Sequence, residues 1–166
     1  MAERRDLYDI NRKLTGKTVA KGEPTPDGSY IIVVLVFIQN EDGKFLIQRR
    51  SRKYKDGKLA TTGGHVKAGT TSVEGILEEI EEELGITLRP EDLELYYTDR
   101  EDSTRVFFDD YYVRADIDLA DLKLQDKEVD EALWMTTDEI MAAVDEGDFL
   151  SNHVEEFERL LTWLNK

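Results

Sequence analysis

The thirteen residues from Ser72 to Leu84 hold six glutamates, and no lysine or arginine occurs between Ala68 and Leu88 to offset them. Val73, Ile76, Leu77, Ile80 and Leu84 recur at helical spacing and form one apolar stripe, which predicts an amphipathic helix over 72–84. Thr71 with Glu74 three residues on makes a capping box at its start, and Gly85 suits its end. On such a helix Glu79, Glu82 and Glu83 stand at i, i+3 and i+4 and share one face, apart from the apolar stripe; Glu74, Glu78 and Glu81 point elsewhere. A charge run is ordinarily a solvated face. Here the pairs Glu74/Glu78, Glu78/Glu82 and Glu79/Glu83 are like charges at i,i+4, each costing ~0.2–0.5 kcal/mol. The densest part also falls at the helix C-terminus, where the macrodipole disfavours negative charge. A divalent cation would relieve this repulsion, and carboxylate oxygens suit a hard ion such as Mg2+ or Mn2+.

Around that helix the chain reads as strands. Residues 30–39 are nearly all apolar and rich in Val and Ile, as in a central strand buried on both faces. Asn40-Glu41-Asp42-Gly43 is a hairpin turn in which Asp-Gly is expected to supply the positive φ angles, with a returning strand at 44–50. A basic loop follows at 51–58, then a short strand at 59–62 running into Gly63-Gly64. Strands are expected at 93–100, 105–117 and 131–135. Thr136 and Glu139 cap a helix at 137–146, and Asn152 with Glu155 is expected to open a last helix through Leu164. Residues 22–29 read as a long turn, and 4–21 as an edge hairpin or an irregular arm. The fold class that results is α/β, an α/β/α sandwich around a mixed sheet.

The 166 residues suit one domain, 40 % hydrophobic and 36 % charged, and therefore globular. A net charge of −15 argues against nucleic acid or an anionic membrane as partner. There are no cysteines, which excludes disulfides, thiolate metal sites and a cysteine nucleophile and accords with a cytoplasmic setting. Met1 to Ile10 lack the apolar core of a signal peptide, and the longest apolar run, Tyr30 to Ile38, falls short of the ~20 residues of a membrane helix.

The segment from Gly64 to Ile86 resembles the Nudix box: Gly, five residues, Glu, seven residues, then Arg-Glu-aliphatic-any-Glu-Glu-any-Gly-aliphatic. Gly64 matches the first position, Glu79-Ile80 the Glu-aliphatic pair, Glu82-Glu83 the Glu-Glu pair, and Gly85-Ile86 the close. Gly63-Gly64-His65-Val66 resembles the loop that opens many boxes, and Trp134 to Ile140 the family's tryptophan strand and capped helix. Two positions depart: Thr70 stands for the box Glu and Glu78 for the box Arg, which in the family helps orient the glutamates. The resemblance implies a single Nudix domain over 1–166, with an arm or hairpin at 1–28 and the box at 63–86. It further implies metal-dependent hydrolysis of a diphosphate bond in a small nucleoside-diphosphate-type compound, a homodimer being common in the family. The departures also admit a weak or inactive domain that binds a nucleotide or a protein. The arm at Asp6-Leu7-Tyr8-Asp9 is similar to Nudix proteins related to isopentenyl diphosphate isomerase, but that isomerase needs a cysteine, which this chain lacks.

By the same resemblance, Glu79, Glu82 and Glu83 are metal ligands, joined by a backbone carbonyl at Gly63 or Gly64. One of these glutamates or a later acid activates water. Glu128 is the first candidate for that acid and Glu131 the second, each set against the reading of an ordinary surface carboxylate. In the stretch Arg49 to Lys55, Arg50 and Arg52 are candidates to hold substrate phosphate, with a solvated loop as the alternative. His65 is expected to be structural, His153 incidental, and Tyr96, Tyr97, Tyr111, Tyr112, Phe107 and Phe108 to pack.

Overall fold

The computed structural model describes residues 3–166; the first two residues of the arm expected over 1–28 lie outside the described residues. A hairpin of β1 (Arg4–Tyr8) and β2 (Leu14–Ala20) comes first and forms its own two-stranded sheet. Seven further strands make a second, mixed sheet: β3 (Ile31–Gln39), β4 (Phe45–Arg50), β5 (Leu59–Ala60), β6 (Thr62–His65), β7 (Glu94–Glu101), β8 (Val106–Arg114) and β9 (Val129–Met135). Its long path runs β5-β4-β3-β8-β7, with β6 also paired to β3 and β9 to β4. β3 and β8 are parallel along their full length, and the remaining pairs are antiparallel.

Because side chains alternate along a strand, β3 serves two cores. Ile32, Val34, Val36 and Ile38 pack with Ile76, Ile80 and Leu84 of α1 (Ser72–Leu84). Leu35 and Phe37 pack on the other face with Ile140 of α2 (Thr137–Asp145) and Phe157 and Leu160 of α3 (Ser151–Leu164). This is the expected α/β/α sandwich. Ile76, Ile80 and Leu84 are essentially inaccessible, each burial contributing ~1.5–3 kcal/mol, whereas Val73 and Leu77 of the expected stripe are only half-buried. On the other side the Phe45 and Phe157 rings meet edge to face, centroids 5.2 Å apart. The tyrosines pack as expected: Tyr112 lies 5.5 Å from the Trp163 ring and Tyr96 5.9 Å.

The helix at 72–84 has the expected bounds, its capping box between Thr71 and Glu74 is formed, and Gly85 closes it at φ 70°. Several details differ. Only Gly43 takes a positive φ in the 40–43 turn, because Asn40 accepts the Gly43 N–H in an ordinary turn that needs one left-handed residue at its end. Asn152 is not the cap of α3: the cap lies two residues earlier, at Leu150, and makes no side-chain bond there. The strand expected at 105–117 stops at Arg114, and that at 131–135 starts at Val129, where its ladder with β4 begins. The stretch expected as one strand at 59–62 is two, since β5 pairs with β4 and β6 with β3.

The N-terminal hairpin is fastened to the main sheet. Tyr8 and Tyr30 bridge, and Leu7, Val19 and Ile31 form a small core. Arg12, at φ 61°, donates to both carboxylate oxygens of the buried Asp109, at 2.8 and 2.5 Å. No helix among the described residues is long and apolar enough to cross a membrane.

Candidate active site

The three glutamates of α1 meet the sheet at different depths. Glu83 is 7 % exposed and accepts a hydrogen bond from Gln48 Nε2 at 3.0 Å; Gln48 Oε1 in turn accepts from Thr62 Oγ1 at 3.2 Å. β4 and β6 thereby fix the orientation of Glu83. Glu79 lies against Gly64, where a Cβ would stand 2.6 and 2.7 Å from the two carboxylate oxygens. Glycine is needed here for space, since Gly64 has no positive φ. Burial, followed by the charge of Glu82, raises the Glu79 pKa; burial, followed by the charge of Glu79, raises that of Glu83. Glu128 adds to the field on Glu83.

Glu82 is exposed and paired with Lys67 Nζ at 2.5 Å; the same ammonium lies 3.9 Å from Glu78. The helix is thus not without a cation: Lys67 stands one residue outside the stretch that contains none. Thr70, at the position of the missing box Glu, donates to the Lys67 carbonyl at 2.6 Å and holds that loop. Among the described residues, no three His, Asp or Glu side chains are already gathered around one ion-sized point.

A cleft of about 730 Å³ opens beside these glutamates. Its wall includes all three of them with Gly64 and Gln48, and its cations are Arg5 and Lys21 of the hairpin and Arg50 and Lys55 beyond β4. Glu128 also lines it, paired with Lys55 at 3.2 Å. Arg50 is held by Asp56 at 2.9 Å. The structure therefore brings together Glu79, Glu82, Glu83, Glu128, Arg50 and Gly64. It does not bring Arg52 or Glu131 into the cleft: Arg52 is 63 % exposed and bonded to Asp130, and Glu131 is exposed near Arg49. His65 lines the cleft, and burial lowers its pKa to about 4, so it is neutral at pH 7. His153 is not incidental. Its Nδ1 accepts the Thr61 N–H at 3.3 Å, it lines the cleft, and burial lowers it to about 4 as well.

The sequence reading missed Gln48, Lys67, Asp110, Arg5 and Lys21. Two of them leave a signal. Gln48 alternates with Arg50 on a strand, and Asp110 belongs, with Asp109, to the acid pair that interrupts the otherwise apolar and aromatic run Val106 to Val113.

A family model described as NUDIX domain matches residues 29–157, beginning after the hairpin. An uncharacterized Nudix hydrolase of Listeria monocytogenes is 36 % identical over 151 residues, covering 87 % of this chain and 86 % of that protein. The uncharacterized Nudix hydrolase YfcD of Escherichia coli is 34 % identical, covering 67 % of this chain and 62 % of its own. Among solved structures, DR0079 of Deinococcus radiodurans superposes with a TM-score of 0.75 at 22 % identity, covering 95 % of this chain and 98 % of that one. The Nudix domain of Shewanella oneidensis NrtR, solved in complex with ADP ribose, gives 0.62 at 16 %, covering 81 % and 88 %. With the box glutamates on one helix face and the family model spanning most of the sheet, the chain belongs to the Nudix family.

Proposed function

We propose that this protein hydrolyses the diphosphate bond of a small nucleoside-diphosphate-type compound with Mg2+ or Mn2+ bound. The observation that carries the reading is the pair Glu79 and Glu83, two carboxylates drawn out of water and towards each other at the edge of a cation-rimmed cleft. An uncompensated buried pair of acids destabilises a fold. The all-oxygen donor set fits a hard divalent ion, which would cancel the repulsion that raises both pKa values.

Glu79, Glu82 and Glu83, with a carbonyl at Gly63 or Gly64, hold the metal in this reading, and Glu82 exchanges Lys67 for it. When bound, the metal neutralises charge on the phosphoryl oxygens and lowers the pKa of water. Gln48 keeps Glu83 pointed at the cleft. Arg50 and Lys55 place the phosphates from one side, and Arg5 and Lys21 from the other, so the hairpin and the main sheet work as one domain over 1–166. Glu128, at the cleft and within the field of Glu83, accepts the proton of the attacking water. Arg52 has no part. The Nudix domain of NrtR, solved in complex with ADP ribose, supports this reading.

The test is a panel of nucleotide sugars, dinucleoside polyphosphates, ADP-ribose, dinucleotides and nucleoside triphosphates with Mg2+ or Mn2+, followed by phosphate release in excess phosphatase. Metal-dependent turnover that falls by about 100-fold or more in Glu79→Gln is the expected result. No turnover by the wild type on any compound would overturn it. The second reading, a nucleotide- or protein-binding domain of little activity, is favoured by one feature: Lys67 engages Glu82 while Glu78 replaces the orienting arginine. It predicts ligand binding without turnover.

A further inference from the structure

On the sheet face opposite α1, Asp110 of β8 makes a second pair of acids with Glu156 of α3, and both line the same cleft. On β8, Asp110 is in register with Leu35 of β3, which is in register with Gly63 of β6. Phe108, Val33 and His65 form the neighbouring row. All six residues line the cleft. The rows make a floor that is apolar at Val33, Leu35 and Phe108, bears a carboxyl at one end, and meets the strand of Gly63-Gly64 at the other. Two strand spacings of ~4.8 Å separate the ends by ~10 Å.

Asp110 is 1 % exposed, and its Oδ2 is buried without a hydrogen-bond partner. Its preceding neighbour shows how unusual this is within one strand. Asp109, equally buried, receives two bonds from Arg12 and one each from Ser72 and Thr98. Asp110 is met instead by another acid, Glu156 of α3, within hydrogen-bonding reach and anchored by Arg159 at 2.9 Å. Burial and the charge of Glu156 hold Asp110 far above the usual carboxylate range, so the two share a proton. Glu156 also lines the cleft. Both Glu156 oxygens already accept from Arg159, at 3.0 and 2.9 Å, whereas Asp110 receives no protein N–H and is the acceptor of the pair left to be satisfied.

We propose that the Asp110–Glu156 pair is the subsite that accepts N–H donors from the base of the substrate, so that the protein selects compounds with an N–H-bearing heterocycle over base-less phosphates. A flat ring covers Val33, Leu35 and Phe108 while its edge meets the acids. A second sugar in the same place would strand its remaining hydroxyls against the apolar floor. The proposal rests on the diphosphate reading for where the phosphates lie, and it deepens that reading by naming what occupies the far end.

Calorimetric binding of the four common nucleoside 5′-monophosphates is compared with that of ribose 5-phosphate, so that no hydrolysis is needed. The proteins are the wild type, Glu79→Gln, Asp110→Leu and Asp110→Asn. At least one nucleotide is expected to bind about ten-fold or more tightly than ribose 5-phosphate to the wild type and to Glu79→Gln. Asp110→Leu removes the preference but leaves ribose 5-phosphate binding unchanged. Asp110→Asn, which can donate to Glu156 and keep a carbonyl towards the cleft, retains it. Leucine replaces a buried, unsatisfied acid, so Asp110→Leu is expected to melt no lower than the wild type, which confirms folding. A base preference intact in Asp110→Leu, or no preference in the wild type, overturns the proposal. Base-dependent binding lost in Asp110→Leu by a protein that turns over no diphosphate supports the subsite and refutes only the hydrolase reading.

Discussion

Gly63 and Gly64 are adjacent, and alanine at each should fail in a different way. At Gly64 the added Cβ would stand 2.6 and 2.7 Å from the carboxylate oxygens of Glu79, well inside van der Waals contact. The obstructed group is the tip of a flexible side chain, so the fold accommodates alanine by moving that carboxylate, by roughly 1 Å. Gly64 has no positive φ, so alanine suits its backbone and even gains ~0.4–1 kcal/mol by restricting the unfolded chain. Stability should therefore change by less than about 1 kcal/mol, or under ~4 °C in Tm for a chain of this length. Activity should fall by about 100-fold, the usual consequence of a 1 Å misplacement of a catalytic group. At Gly63 the Cβ would instead stand 2.7 Å from the Val34 carbonyl oxygen and 3.1 Å from the Leu35 Cβ. These atoms belong to the central strand and cannot retreat, so Gly63→Ala should cost ~1–3 kcal/mol. Thermal melts and Mg2+-dependent turnover of the two variants, with Mg2+ affinity by calorimetry as a second readout, test the contrast. Gly64→Ala melting as low as Gly63→Ala, or keeping wild-type turnover and metal affinity, would refute this contrast.

Three other expectations follow from single contacts. Lys67→Ala removes the cation that competes for Glu82, so Mg2+ affinity should rise in a calorimetric titration while stability changes by less than ~1 kcal/mol, the pair being partly exposed; weaker metal binding would refute the competition. Arg12→Ala leaves Asp109 buried with only the Ser72 and Thr98 hydroxyls, and should destabilise by roughly 2–3 kcal/mol in urea unfolding, short of the full cost of an unpaired buried charge. His153 is kept neutral by burial, its pKa lowered to about 4, so between that value and 6.5 the unfolded chain binds the extra proton. Its contribution to stability is complete above pH 6.5 and is lost as pH falls towards 4, by up to about 3 kcal/mol; His153→Asn should show a correspondingly shallower acid slope in urea titrations at pH 7.5, 6 and 5.

The parts of this molecule legible in its sequence are those fixed by neighbours in the chain. α1 could be bounded to the residue because Thr71, Glu74 and Gly85 each act within one turn, and its acidic face follows from spacing alone. β3 was legible because a strand covered on both sides must be apolar throughout. Asn152 misled because a capping residue signals only where the backbone already turns. The chain enters α3 from the hydrogen bond of Leu150 to Leu59, and so starts the helix two residues early without a side-chain cap. The site was legible as donors but not as an environment. Gln48 reaches Glu83 across 35 residues, and Arg12 reaches Asp109 across 97. Neither separation leaves a periodicity to read. Asp109 and Asp110 make the limit plain: two identical residues, side by side on one strand, are sorted into a fully bonded anchor and an unsatisfied acid. The strand's alternation decides this by sending one towards Arg12 and Ser72 and the other towards Glu156 and the cleft. What these acids do is set by the opposing faces of the sheet, which the chain acquires only on folding.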